Sequence, residues 1–151
     1  MLRLKDWLSR HLGKDSADST SERAAAVNLA VAALLVEILR ADYATTAAER
    51  AQVLASIRGL LGLDQAACEA LLEDAERSID EAHDLYQFTS EINRSWSAED
   101  KSRLVEQLWQ VAQADATVHK YEEHLIRRIA DLLHVSHREF IAAKLRSAGG
   151  A

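Results

Sequence analysis

The sequence predicts an all-α protein, and three observations carry that reading. Its 151 residues include no proline and only five glycines, a composition that suits long helices better than a turn-rich sheet. Apolar residues recur at helical spacing in one segment after another, and no segment reads as a strand. The length suits one domain able to bury roughly 68–70% of the surface that its unfolded form exposes, so no disulfide or metal is required to hold a core.

The elements follow in order. MLRLKDWLSRHLGK, residues 1–14, places Met1, Leu4, Trp7, Leu8, His11 and Leu12 on one face with Arg3, Lys5, Arg10 and Lys14 flanking them, which predicts an amphipathic helix. Such a helix either lies on an anionic membrane surface or docks on its own domain. Residues 15–21 read as a polar linker, and Ser19 with Glu22 has capping-box spacing. The main domain is expected over residues 22–146, with a flexible tail at 147–151. Residues 21–41 carry Val27, Val31, Leu34, Leu35 and Ile38 on one face, and residues 46–61 carry Val53, Ile57, Leu60 and Leu61. Asp64 begins a helix with Leu71, Leu72 and Ile79, and a shorter helix follows around Tyr86 to Asn93. Ser97 starts the helix of Leu104, Leu108, Val111 and Ala112; Leu125, Ile129, Leu132 and Leu133 mark the next. Ser136 and Glu139 then cap a last helix with Phe140, Ile141 and Leu145 as its apolar residues.

Two stretches repeat a pattern. LLVEILRADYATTAAERAQVLASIRGLLGLD matches QLWQVAQADATVHKYEEHLIRRIADLLHVS in its helix, Asp turn, Glu-led helix and terminal Leu-Leu-x-apolar signature, once one residue is inserted after Glu49. The expected fold is therefore a single-domain bundle of about seven or eight helices built from two pseudo-repeated helical hairpins. Asp42 and Asp115 continue the apolar stripes of their helices. Glu49 and Glu122 stand three or four residues before the apolar positions of theirs, so all four acids fall toward the inward side. A partly buried carboxylate needs compensation. Thr46 and Glu49 form a capping box that supplies it, but His119 replaces the capping threonine in the second copy. A cation is the other compensator: two carboxylates within ~4 Å repel by about 4 kcal/mol at an effective dielectric of 20. Capping and ion binding both remain open at this point.

The duplicated apolar-Ala-Asp-x6-Glu hairpin resembles the TerB-like family, named for a bacterial tellurite-resistance protein, and is also similar to the N-terminal domain of a membrane-anchored DnaJ-type co-chaperone. LVEILRAD, DLYQFT, LWQVAQAD and KYEEHLIRRIADLLHVSHREFIAAK resemble a proteobacterial branch of it, over about residues 22–146. The resemblance implies an all-helical fold and an acidic site for a divalent cation, carried here by Asp42, Glu49, Asp115 and Glu122. Hard oxygen ligands of this kind suit Ca²⁺ or Mg²⁺. Tyr43 and Ala116 stand where the family more commonly has glycine. Two functions follow as expectations. One is a divalent-cation-binding domain linked to stress response or tellurite resistance. The other is a protein-interaction adaptor at the cytoplasmic membrane face, in which the acidic turns are structural.

Other chemistries are disfavoured. The net charge of −6 does not suit phosphate neutralisation, so no nucleic-acid partner is expected. The single cysteine, Cys68, fits a reducing cytoplasmic setting, and it has no His or Asn beside it in sequence to make a nucleophile. His119 and His124 miss the i, i+4 spacing of a helical zinc site and read as surface residues, while Trp96, Trp109, Tyr86 and Phe88 read as core. There is no phosphate-binding glycine loop and no EF-hand ladder, so a non-enzyme with a protein partner is expected.

Because residues 15–21 read as a linker, deleting residues 1–18 should leave a cooperative thermal transition. Loss of cooperativity would place the first helix in the core. Co-sedimentation of the full chain, but not of the truncation, with anionic liposomes would assign that helix to a membrane surface.

Overall fold

The structure is a computed structural model that describes residues 19–41, 46–81, 84–114 and 118–149. Among these residues there are seven helices and no strand: α1 (Ser19–Arg40), α2 (Ala47–Leu61), α3 (Gln65–Glu81), α4 (Tyr86–Ser95), α5 (Ala98–Ala112), α6 (Lys120–Leu132) and α7 (His137–Gly149). The all-α bundle is thus as expected. The amphipathic helix expected at residues 1–14 lies outside the described residues.

The helix starts follow local side-chain chemistry. Thr46 and Ser97 are extended N-caps whose hydroxyls accept the amides of Glu49 and Asp100, and Asp64 Oδ1 accepts the Ala67 amide. Ser136 Oγ accepts the Glu139 amide at 3.1 Å, while Glu139 Oε1 takes a bond from Arg146. Three expected boundaries move. Ser19 is already helical rather than a cap, and the linker expected over 15–21 gives way to helix at that residue. The tail expected from residue 147 also gives way, because α7 runs to Gly149 and Ser147 is buried with its hydroxyl donating to the Lys144 carbonyl.

The centre of the bundle is α1. From Ala26 to Leu39 every residue is buried except Asn28 and Glu37, and a helix that is apolar all round must be enclosed. It packs against α2, α3, α4, α5 and α6, while α2 and α5 touch each other and α7 lies on α5 and α6. Buried Ser56 ties α2 to α5 by donating to Gln107 Oε1 at 2.7 Å. Trp109 of α5 and Phe140 of α7 meet with ring centroids 5.5 Å apart. Arg146 bridges Glu106 and Glu139 at the surface, where such pairs contribute little. No helix of the described residues is long and apolar enough to cross a membrane.

The last helix buries only part of its apolar set. Phe140 is buried, but Ile141 and Leu145 are exposed, and Ala143 and Ser147 complete the inward face. That face is set by i, i+3 and i+7 from Phe140, a spacing that Leu145 misses. Tyr86 is likewise exposed, unlike the buried Phe88 and Trp109.

Among the described residues, two helix ends use left-handed backbone. Gly62 closes α2 with φ 69°, its amide bonding the Arg58 carbonyl. At the end of α6 His134 has φ 63°; its amide bonds Asp131 O and that of Val135 bonds Ala130 O, a Schellman arrangement usually given to glycine. Nothing lies within 4 Å of a Cβ added at Gly62, so the cost there is conformational. Gly62→Ala should therefore lower stability by about 1 kcal/mol, and His134→Gly should raise it by about 0.5–1 kcal/mol. Urea unfolding checks both signs, and a stability loss in His134→Gly would show that its side chain matters more than its backbone.

Candidate functional site

Both Glu-led helices carry their acid at the third position. Thr46 and His119 are the extended N-caps of α2 and α6, and Glu49 and Glu122 stand where a carboxylate can reach back to the cap amide. Glu49 Oε1 accepts from the Thr46 amide at 2.9 Å and from its hydroxyl at 3.2 Å, and Glu122 Oε1 accepts from the His119 amide at 3.0 Å. The capping-box arrangement is present at both helices, so replacing threonine by His119 does not remove it. The positive helix N-terminus further favours both charges.

Their burial goes beyond what a cap requires. Glu49 is 0% and Glu122 1% exposed, although carboxylates are almost never fully buried unless paired. α2 packs on α1 and α5, and so does α6, so the two acids sit on helices that flank the same central pair. Glu49 Oε2 has no hydrogen-bond partner among the described residues, and a buried acceptor left so costs ~1–3 kcal/mol, more when charged. Asp42 and Asp115 lie outside the described residues, and within those described no three His, Cys, Asp or Glu side chains converge as a cation site. Glu49 and Glu122 fit a hard cation in donor type, and the remaining oxygens that Ca²⁺ or Mg²⁺ needs would have to come from elsewhere.

The sequence's other reactive residues stand apart. His119 and His124 are exposed. Cys68 is buried, its Sγ 3.6 Å from the Leu63 carbonyl, and burial pushes its thiol up against the opposing pull of Arg58. That is opposite to the shift of an activated nucleophile.

A family model described as tellurite resistance protein TerB matches residues 28–145. The chain belongs to the TerB family. No curated protein and no solved structure matches it. The TerB match takes in both glutamates, both capping residues and all of the buried part of α1 from Leu29 onward.

The double use of Thr46 makes the first acidic start of this TerB domain sensitive to its cap. Thr46→Ala removes the acceptor for the Glu49 amide and a donor to its carboxylate, so a loss of about 1 kcal/mol or more is expected in chemical unfolding. An unchanged midpoint would show that solvent or another group takes over both bonds.

Proposed function

We propose that this TerB domain is non-enzymatic and binds a divalent cation, Ca²⁺ or Mg²⁺, with Asp42, Glu49, Asp115 and Glu122 as its ligands, in the service of a stress response such as tellurite resistance. The buried Oε2 of Glu49 carries this reading. One oxygen of that carboxylate is used by the cap and the other faces no donor among the described residues, which is the state in which a hard cation is stabilising. An ion held there would tie Asp42 to the start of α2.

The second reading is a protein-interaction adaptor in which the acidic starts are structural. Exposed Tyr86, Tyr121 and Leu145 support it, since aromatic residues are enriched where partners bind. The chelator dependence of partner capture separates the two, because a structural role for the acids makes capture independent of ions.

Thermal unfolding with and without millimolar Ca²⁺ or Mg²⁺ tests the first reading. An ion at a hundredfold excess over its Kd stabilises the folded state by about 2.7 kcal/mol, and for a chain of this size that raises the midpoint by roughly 5–11 °C. Glu49→Gln should abolish this response while leaving the ion-free midpoint unchanged or higher, because glutamine also serves at the third position of a capping box. An ion-insensitive parent, or a Glu49→Gln variant that responds as the parent does, would refute the proposed site.

A further inference from the structure

A second carboxylate stands where the fold has least use for it. Glu37 interrupts the buried length of α1 and is half-buried at the wall of a cleft of about 190 Å³. The neighbouring Arg40 is bound to Asp80 at 2.5 Å, and Glu37 itself makes no ion pair among the described residues. Burial pushes its carboxyl up, with Arg40 opposing, so the charged form is under-compensated where it stands.

The opposite wall is one face of α6. Tyr121, Leu125 and Arg128 follow at i, i+4 and i+7, and all three line the cleft. Asp84 and Leu85, at the start of α4, close the third side, with Asp84 Oδ1 accepting the Tyr86 amide at 2.8 Å. Tyr121 is 64% exposed, which leaves its ring available at the rim. Two carboxylates and one guanidinium give the cleft a negative balance. Arg128 is exposed and therefore well screened, while Glu37 is half-buried and less so. The volume falls below the ~300–1,000 Å³ of sites for cofactors and drug-sized molecules, so it suits a single side chain.

We propose that the Glu37 cleft is a docking site for a basic side chain, arginine or lysine, on a protein partner. The cation meets Glu37 at the wall, its methylenes lie along Leu125 and Leu85, and the Tyr121 ring covers it as a cation–π partner. Tyr121 is the neighbour of Glu122 at the start of α6, but docking does not depend on an ion there.

The test is an NMR amide-shift titration of the full chain with a short acetylated and amidated peptide carrying one arginine, against the same peptide with neutral citrulline. Saturable shifts at Glu37, Leu125 and Tyr121 are expected for the arginine peptide alone. Glu37→Gln should weaken binding by about tenfold or more, the loss that follows from removing a charge-assisted bond. That variant should still fold, with a thermal midpoint at or above the parent's, because it removes a charge that burial disfavours. Arg128→Gln should leave the affinity unchanged or stronger. Equal shifts from the citrulline peptide, an unaltered affinity in Glu37→Gln, or loss of binding in Arg128→Gln would overturn the proposal, the last by showing that the cleft recognises an anionic group instead.

Discussion

The enclosure of α1 is the constraint on which the rest of the structure depends. A helix buried from Ala26 to Leu39 except at Asn28 and Glu37 cannot be satisfied by one partner, and five of the other helices are recruited to cover it. The small residues Ala26, Ala30, Ala32 and Ala33 let neighbours approach closely, and Leu29, Leu34, Leu35 and Ile38 fill the gaps between them. Leucine, valine and alanine supply a non-directional driving force, so register must come from elsewhere. It comes from the polar ties at the edge of the core: the Ser56–Gln107 bond between α2 and α5, the Asn93 amide donating to the Leu132 carbonyl between α4 and α6, and the caps that decide where each helix begins.

Enclosing α1 also explains why acids are found inside. The helices that flank it must start close to it, and a helix start exposes backbone amides that water cannot easily reach in such a place. A glutamate at the third position supplies an acceptor from within the chain. Glu49 and Glu122 meet that need with one oxygen each, so capping accounts for their position and for half of their bonding. It does not account for the second oxygen of Glu49. The capping and ion readings are therefore complementary: the cap fixes the carboxylate's place, and its remaining oxygen determines whether the place is useful.

Much of this was legible in the sequence, and the reasons for success and failure are physical. Apolar stripes of helical period gave the seven helices, because burial on one face imposes that spacing. Thr46, Asp64, Ser97 and Ser136 were readable as starts because capping is local chemistry. The inward placement of Glu49 and Glu122 followed from their distance to Val53 and Ile126. The role of His119 did not, since an imidazole is a poor sequence signal for a cap. The exposure of Ile141 and Leu145 was not legible, because apolarity says nothing of which face a neighbour covers. Glu37 escaped notice for the opposite reason: VEILR reads as one turn of an amphipathic helix, and only the enclosure of its neighbours reveals the carboxylate as anomalous.

Glu37 and Glu49 show how one residue type diverges under one packing constraint. Glu49 stands at a helix start, where backbone amides and the helix dipole favour its charge, and the fold can bury it completely. Glu37 stands within a helix, where all nearby amides are already bonded to carbonyls one turn back and none can turn toward it. Arg40 offsets part of the cost of its burial, and the rest is relieved only through the cleft, by water or an incoming cation. An acid that the backbone compensates can be sealed inside the protein and made available to an ion, whereas one that the backbone ignores must remain open to the outside. The position of each carboxylate along its helix thus decides whether its chemistry is directed inward or toward a partner.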